Sequence, residues 1–302
     1  MPAPATPPAV WKLRTRNLDL TRTPLLMGIV NVTPDSFSDG GRFSDTRRAV
    51  QQGLQLVEDG ADLLDIGGES TRPGSQPVSP EEELQRTIPV IEQLAGQCPV
   101  PLSIDTSKAR VARAALAAGA EIINDVTGLA GDPQMIGVAR ETAAGVCVMH
   151  MQGTPQTMQD NPRYDDVVAD ILAWLRRRRD ELVAAGLDRS SICLDPGIGF
   201  GKSLTHNLQL LAAADRFQET GGPVLFGHSR KGFVRKITGD DSREQMAGTL
   251  AVSLHLARQG VHLIRVHDVR PTRQALAMHQ ALTDPEPAPG PDQTADTRKK
   301  TP

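Results

Sequence analysis

Short apolar runs alternate with longer segments of helical pattern eight times along this chain. Each run is nearly continuous in apolar residues, which is typical of a strand covered on both faces. The runs lie at residues 25–32, 63–68, 101–106, 121–126, 145–151, 192–197, 223–229 and 263–268. Eight strands alternating with eight helices favour a closed parallel (β/α)8 TIM barrel, because an open doubly wound sheet usually has fewer units.

The segments between these runs have the apolar spacing of helices. One of them begins with Ser79 and Pro80, followed by Glu81 and Glu82, which are typical helix-start residues. The predicted helices lie at residues 46–59, 80–95, 108–118, 132–143, 164–185, 206–217, 242–259 and 271–281.

The chain has 302 residues, a length that α/β barrels often use for a single domain. We assign residues 16–283 to the barrel. Residues 1–15 are expected to form a flexible N-terminal tail, since the first ten are rich in Pro and Ala. Residues 284–302 are rich in Pro, Asp, Thr and Lys and are expected to form a disordered C-terminal tail.

Composition argues against two classes of partner. A net charge of −3 gives no general attraction to nucleic acid or anionic membranes, and 3% aromatic residues provide few platforms for stacking bases. No apolar run approaches the roughly 20 residues of a membrane span. The N-terminal residues also lack the basic and apolar regions of a signal peptide. We therefore expect a cytoplasmic enzyme that binds neither nucleic acid nor membranes.

Polar side chains stand at the end of almost every predicted strand. One such residue is often only a helix cap or turn former. A set of polar residues around one rim indicates an active site more strongly, because the active sites of barrel enzymes lie at the C-terminal ends of the strands. The set comprises Asn31, Asp65, Asp105, Asn124, Asp125, His150, Asp195, His228, Ser229, Lys231, Arg265, His267 and Asp268.

Charge divides this rim into two sides. Lys231, Arg265 and His267 bring positive charge to the last two strands, where barrels often bind phosphate. Carboxylates and an amide on earlier strands suit a ring with several N–H donors. Loops 33–41 and 69–76 are rich in Gly, Pro and Ser, and loops of this kind over a barrel mouth often act as lids. The pattern predicts a pocket for two substrates, one of them anionic.

Two other site types fit the sequence less well. Three histidines near the rim would suit a metal hydrolase, but such barrels typically place His-x-His on strand 1, where this chain has Asn31, Val32 and Thr33. The segment GIGFGKS at 197–203 is similar to a nucleotide-binding P-loop. That motif requires Gly at position 196, which is Pro196.

Eight motifs resemble the signatures of the dihydropteroate synthase family of pterin-binding barrels, over residues 24–282. They are MGIVNVTPDSFSDGG (27–41), DIGGESTRPG (65–74), SIDTSK (103–108), INDV (123–126), MHMQGTPQTMQ (149–159), LDPGIGFGK (194–202), HSRKGF (228–233) and IRVHDV (264–269).

The resemblance implies a transferase of folate biosynthesis. It would condense 6-hydroxymethyl-7,8-dihydropterin pyrophosphate with p-aminobenzoate to 7,8-dihydropteroate, releasing pyrophosphate in an SN1-like substitution. It also implies a (β/α)8 barrel, a homodimer, a requirement for Mg²⁺ and membership of the enzyme family that sulfonamides target.

Residue roles follow from the same resemblance. The implied catalytic residues are Asp105, Lys231, Arg265 and His267. The implied pterin site consists of Asp105, Asn124, Asp195, Lys231, Met149 and Phe200. Pyrophosphate would contact Asn31, Arg72, Arg265 and His267, with Mg²⁺ on Asn31. The implied p-aminobenzoate site consists of Phe37, Ser70, Thr71, Arg72, Pro73 and Lys231.

One departure and one alternative remain. Many members of the family carry Ser or a larger polar residue after the lysine, where this chain has Gly232. The alternative is a non-catalytic pterin-binding relative, or a barrel that binds a folate for methyl transfer. Arg72, Lys231, Arg265 and His267 favour the synthase, because they would serve aminobenzoate and pyrophosphate rather than the pterin edge.

Overall fold

The computed structural model describes residues 10–21, 24–32, 41–72, 74–242 and 245–284, with residues 41–44 described by their backbone only. Within these ranges the strands are β1 Val10–Lys12, β2 Asn17–Asp19, β3 Leu25–Asn31, β4 Leu63–Gly67, β5 Leu102–Asp105, β6 Ile122–Asp125, β7 Gly145–Met149, β8 Ile192–Asp195, β9 Leu225–Gly227 and β10 Leu263–Val266. The α-helices are α1 Gly41–Glu58, α2 Pro80–Ala95, α3 Ala109–Ala117, α4 Met135–Thr142, α5 Val167–Ala184, α6 Leu204–Ala212, α7 Gly232–Thr238, α8 Met246–Arg258 and α9 Val269–Thr283.

Strands β3 to β10 form one parallel sheet in the order β8-β7-β6-β5-β4-β3-β10-β9. A parallel bridge between Leu194 and Val224 joins the two ends of this order and closes the barrel. All eight strands coincide with the eight apolar runs of the sequence, so the predicted (β/α)8 barrel is confirmed.

The stretch between β9 and β10 differs from the prediction of one helix over 242–259. It forms two helices, and the first, α7, begins directly after Lys231. Gly239 ends α7 in the left-handed conformation with φ of 70°, which glycine adopts without steric cost. The rim lysine therefore lies at the junction of a strand end and a helix start.

The N-terminal boundary also differs from the prediction. Residues 10–15 belong to the folded domain, because β1 pairs antiparallel with β2. The Trp11 side chain is 0% exposed, and its indole Nε1 donates to the Ser191 carbonyl at 2.9 Å. The remaining residues of both predicted tails, 1–9 and 285–302, lie outside the described residues.

Two layers of apolar side chains make up the core. The larger layer fills the space between strands and helices. The smaller one fills the lower barrel interior and is continuous with the β1–β2 hairpin, with Trp11, Met27, Leu63, Cys147 and Cys193 among its members. In the described part of the chain, these buried apolar groups close the lower end of the barrel interior, and the polar strand-end residues lie at its C-terminal end. No helix of the described residues is long and apolar enough to cross a membrane.

Candidate active site

Strand register brings the rim residues to one level. Asp105 on β5 is the register partner of Asn124 on β6, and Met149 on β7 is the partner of Asp195 on β8. Asn31 on β3 pairs with Gly67, which in turn pairs with Asp105. Because all of these strands are parallel, their C-terminal ends open into a single mouth.

Arg265 crosses the mouth from β10 to the acidic side. Its Nε donates to Asp65 Oδ2 at 2.6 Å, and one terminal nitrogen donates to Asp105 Oδ2 at 2.9 Å. Asn124 Nδ2 also donates to Asp65 Oδ2, at 3.0 Å. Although burial opposes it, the two carboxylates raise the pKa of Arg265 above its ordinary value. The guanidinium is therefore a fixed cation in the acidic half of the pocket.

Asp105 is a mostly buried carboxylate of the rim with a like-charged neighbour, Asp65. Burial and the neighbouring Asp65 charge raise the pKa of Asp105 to about 7, against the opposing effect of Arg265. Desolvation disfavours the charged form, and a nearby like charge acts in the same direction. Asp105 therefore changes charge near neutral pH.

Asp195 and Lys231 lie close enough for their charges to interact. Asp195 Oδ1 accepts the Gly197 backbone N–H at 2.7 Å. Lys231 Nζ donates to the Ile198 carbonyl and lies 4.6 Å from the centre of the Phe200 ring. Burial raises the pKa of Asp195 and lowers that of Lys231, to about 8 for the lysine. Both groups lie in a site of low dielectric that favours ligand hydrogen bonds.

The last strands supply a cationic wall. Ser229 Oγ lies 3.1 Å from His267 Nδ1 and accepts the His267 backbone N–H at 3.3 Å, which orients the ring. Burial first, and then four nearby cations, lower the pKa of His267 to about 3. These cations belong to Arg230, Arg265, Arg72 and Lys231. A neutral imidazole surrounded by cations suits an anionic ligand.

Arg230 is held by Asp268. Its Nε donates to Asp268 Oδ2 at 3.0 Å, and a terminal nitrogen contacts Oδ1. Arg230 has a φ of 57°, an uncommon conformation for a residue other than glycine. The paired carboxylate fixes the head of this side chain at the end of the cationic wall.

The structure thus brings nine of the predicted site residues to the mouth. They are Asn31, Asp105, Asn124, Met149, Asp195, Phe200, Lys231, Arg265 and His267. Ser70, Thr71 and Arg72 lie in the loop after β4, where Ser70 Oγ is 3.4 Å from the Arg72 N–H that donates to it. Phe37 and Pro73 lie outside the described residues.

Two rim histidines do not face the mouth. His228 is fully buried, and its Nε2 lies 3.1 Å from the Thr249 carbonyl and 3.0 Å from Ser253 Oγ. His150 Nδ1 lies 3.1 Å from Lys202 Nζ, and its ring packs edge-on against Trp174. Both residues follow the ends of their strands, as expected, but their side chains pack against α5 and α8 instead of entering the mouth.

Two functional candidates were missed by sequence reasoning. Asp65 was recognised as a strand-end residue but was given no predicted role, whereas the structure pairs it with the Arg265 guanidinium. Lys202 follows the last glycine of the LDPGIGFGK motif and is buried under the pocket wall. The signal for Asp65 was its place at the end of β4, but its partner is 200 residues away in sequence.

Among the described residues no group of three His, Cys, Asp or Glu side chains could hold a metal ion. Asn31 is partly exposed at the end of β3 and offers a single amide oxygen. Mg²⁺ commonly takes one or two protein ligands and completes its shell with phosphate oxygens and water. Asn31 therefore fits a magnesium ion that arrives with a phosphorylated ligand, and it does not fit a metal held by the protein alone.

Known proteins share this architecture and sequence. Residues 27–267 match the family model described as "Pterin binding enzyme". The chain is 45% identical to the dihydropteroate synthase of Escherichia coli (strain K12) over 265 residues, 88% of this chain and 93% of that protein.

Two solved structures of Xanthomonas albilineans dihydropteroate synthase agree with this. The structure with 4-aminobenzoic acid has 48% identity and a TM-score of 0.86, and it covers 92% of this chain and 99% of that one. The structure in complex with 7,8-dihydropteroate has 46% identity and a TM-score of 0.83, with coverage of 91% and 99%. The resemblance carried by the eight motifs is confirmed, and the chain belongs to the dihydropteroate synthases of the pterin-binding enzyme family.

Proposed function

We propose that this transferase joins 6-hydroxymethyl-7,8-dihydropterin pyrophosphate to p-aminobenzoate by a dissociative substitution. The bond from the pterin methylene carbon to the pyrophosphate oxygen breaks, and a bond from that carbon to the aminobenzoate nitrogen forms. The observation that best supports this proposal is a single mouth with Asp105 and Asp195 on one side and the cations around His267 on the other. The Xanthomonas structures with 4-aminobenzoic acid and 7,8-dihydropteroate support both substrate classes.

The pterin ring is assigned to the acidic side. The Asp195 carboxylate accepts two N–H groups of the amino-pyrimidine edge, and Asn124 adds an amide contact. Lys231 covers the opposite side, while Met149 and Phe200 supply apolar walls. The placement of Lys231 Nζ over the Phe200 ring supports this assignment, because it puts the cation beside the wall of the pocket.

Asp105 is assigned to the chemical step. As the C–O bond breaks, positive charge develops on the pterin, and a fixed carboxylate stabilises that charge in the transition state more than in the ground state. Burial and the Asp65 charge raise the pKa of Asp105 to about 7, so the fraction of Asp105 that carries this charge increases as the pH rises. The aminobenzoate nitrogen is already unprotonated at neutral pH, so it attacks without a general base, and the proton that it loses once the C–N bond has formed passes to water or to the leaving pyrophosphate.

The leaving pyrophosphate is assigned to Asn31, Arg72, Arg265 and His267. Arg265 links the two halves of the reaction, because the guanidinium that contacts Asp105 also faces the cationic wall. Asn31 would hold Mg²⁺, which when bound neutralises charge on the phosphate oxygens. His267, oriented by Ser229, would donate a hydrogen bond from its outer nitrogen to a phosphate oxygen.

Aminobenzoate is assigned to the lid loops, with Phe37, Ser70, Thr71, Arg72, Pro73 and Lys231 lining its site. Gly232 offers no side chain here, and a Cβ added at this position would have no neighbour within 4 Å. The backbone N–H groups at the start of α7 are left to bind the aminobenzoate carboxylate.

We also propose a cytoplasmic homodimer. Ile237 on α7 and Met278 and Leu282 on α9 are exposed apolar side chains on late helices, at 55%, 59% and 68%. Met278 and Leu282 are four residues apart and share one helix face. The three cysteines are free thiols, which agrees with a reducing compartment.

A coupled assay for pyrophosphate release tests the function. The protein is mixed with Mg²⁺, the dihydropterin pyrophosphate and p-aminobenzoate, with Lys231→Ala and Arg265→Ala as variants. We expect aminobenzoate-dependent release, reduced in both variants by at least about 100-fold, the usual effect of removing a preorganised charge. Pterin binding by calorimetry without any turnover would contradict the synthase and favour the non-catalytic relative.

A further inference from the structure

Lys202 is a cation buried under the pterin side of the pocket. Only 2% of the Lys202 surface is exposed to solvent. Nζ lies 2.8 Å from the Phe200 carbonyl, 3.2 Å from the His150 carbonyl and 3.1 Å from His150 Nδ1. An ammonium has three N–H donors, and these contacts provide three acceptors. Within the described residues Lys202 forms no ion pair with a carboxylate, so its charge is not explained by a salt bridge.

The side chain ties the Phe200 loop to the end of β7. Gly197 and Gly201 both have positive φ and press this loop against the neighbouring backbone. A Cβ on Gly197 would lie 2.0 Å from the His150 carbonyl oxygen, and one on Gly201 would lie 2.5 Å from the Gln152 carbonyl oxygen. Lys202 bridges the same two segments from inside. Its contact with the Phe200 carbonyl therefore fixes the residue that supports Lys231.

The same cation acts on Asp195. The His150 backbone N–H donates to the Asp195 backbone carbonyl at 3.0 Å. His150 is also the residue whose carbonyl and ring nitrogen contact Lys202 Nζ. Burial raises the pKa of Asp195, and the charges of Lys231, Lys202 and Arg265 oppose that rise, together with the Gly197 N–H. Lys202 thus belongs to the set of groups that favour the ionised form of this carboxylate.

The charged groups facing Lys202 itself are few. Burial lowers the pKa of Lys202 well below its ordinary value; Asp195 opposes this effect and Lys231 adds to it. His150 stays neutral, since burial and Lys202 lower its pKa to about 3, and the pKa of His206 is also lowered by burial and by Lys202. An amine with a lowered pKa is most fully protonated at acid pH, the range in which Asp195 would lose its charge.

We propose that Lys202 is a positioning residue of the pterin site, which holds the Phe200 loop through its three hydrogen bonds and favours the Asp195 carboxylate through its charge. This inference rests on the proposed assignment of Asp195 and Phe200 to the pterin. Lys202 would then affect pterin binding without touching the pterin itself.

Two variants separate the tether from the charge. Lys202→Gln keeps an amide that can donate to the two backbone carbonyls but has no charge, and Lys202→Met lacks both. Lys236→Met is the matched control, because Lys236 is an exposed lysine on α7. The measurement is the Kd of 6-hydroxymethyl-7,8-dihydropterin by calorimetry across the acid and neutral range. This ligand lacks the pyrophosphate, whose own titration would otherwise overlap.

For Lys202→Gln we expect the pH at which binding is half lost to rise by about one pH unit, the size of an ordinary charge effect on a carboxylate. Lys202→Met should show the same rise and, in addition, a Kd about tenfold higher at neutral pH because the loop is released. Lys236→Met should match the parent protein in both measurements.

Weaker binding with an unmoved acid limb in a folded Lys202→Gln protein would overturn the proposal, since a merely structural lysine gives that result. Unchanged binding in both Lys202 variants would overturn it as well. If Lys202→Met does not fold, Lys202→Gln alone decides. Failure of the parent protein to bind the pterin would overturn the proposed function and this inference together, whereas parent binding with unaltered variants overturns only the inference.

Discussion

Arg265 and Asp65 are 200 residues apart in the chain, yet Arg265 Nε donates to Asp65 Oδ2 at 2.6 Å inside the barrel mouth. The contact spans β10 and β4, which are separated by β3 in the sheet. Asp65 therefore sets the direction of the guanidinium that reaches Asp105. It also adds negative charge next to Asp105, and so it acts on two proposed catalytic groups at once.

Asp65→Asn should lower kcat by about 100-fold, because a small misplacement of a catalytic group has an effect of that size. It should also move the acid limb of the pH profile of kcat/KM to lower pH. The sign follows from the Asp65 charge, which raises the pKa of Asp105 and is lost in the variant. Steady-state kinetics over the pH range check both expectations.

Asp59→Asn is a suitable control for this variant, because Asp59 pairs with Arg270 at 2.9 Å on the outside of the barrel. It should leave kcat and the acid limb unchanged. An acid limb that stays in place in Asp65→Asn, or moves to higher pH, would contradict the coupling between the two carboxylates.

The parent enzyme should show a bell-shaped dependence of kcat/KM on pH. Activity should rise as Asp105 ionises, through a pKa of about 7, and fall as Lys231 loses its proton, through about 8. Lys231→Arg should abolish the alkaline limb while lowering the maximum, since a guanidinium stays charged throughout. An alkaline limb that persists in Lys231→Arg would assign it to another group.

Gly232→Ser should lower the KM for p-aminobenzoate. The added Cβ meets no atom within 4 Å, so the hydroxyl has room to bind the aminobenzoate carboxylate without backbone adjustment. Gly232→Ala is the matched control, because it fills the same space without a donor. A KM for Gly232→Ser that equals or exceeds that of the parent would show that the backbone alone already meets this need.

Trp11→Ala should reduce the free energy of unfolding by about 3–5 kcal/mol, the cost of removing a buried large aromatic side chain. Trp11→Phe should cost about 1–3 kcal/mol, mainly because the Ser191 carbonyl loses its donor. Urea denaturation measures both, and kcat of the folded protein should stay at the parent value. A loss below 1 kcal/mol in Trp11→Ala would mean that the hairpin does not belong to the cooperative unit.

The barrel could be predicted from the sequence because its two signals, the apolar runs of the strands and the apolar spacing of the helices, are local patterns. A strand buried on two faces is an apolar run, such as 63–68 for the strand Leu63–Gly67. The hairpin around Trp11 could not be predicted in this way. Its strands have three residues each, too few for a pattern, and the tryptophan is buried by distant groups such as Ser191.

The sequence could predict which strand ends carry the site, but not which of their side chains face it. Asn124 and Asp125 both end β6, but only the strand's alternation decides that Asn124 contacts Asp65 while Asp125 accepts the N–H and hydroxyl of Thr127. Lys202 gave no signal at all, because a lysine in a glycine-rich loop usually lies in solvent. Its burial depends on the packing of that loop onto the end of β7.

An apolar cluster that includes Trp11, Met27 and Leu63 fills the N-terminal end of the barrel interior, opposite the polar rim. Within the described residues, substrates and products would therefore exchange with solvent through the C-terminal mouth. On the proposed assignment of the pterin to Asp195 and Asn124, and of aminobenzoate to the loop after β4, we expect the pterin substrate to bind first, because aminobenzoate would then close the entrance behind it.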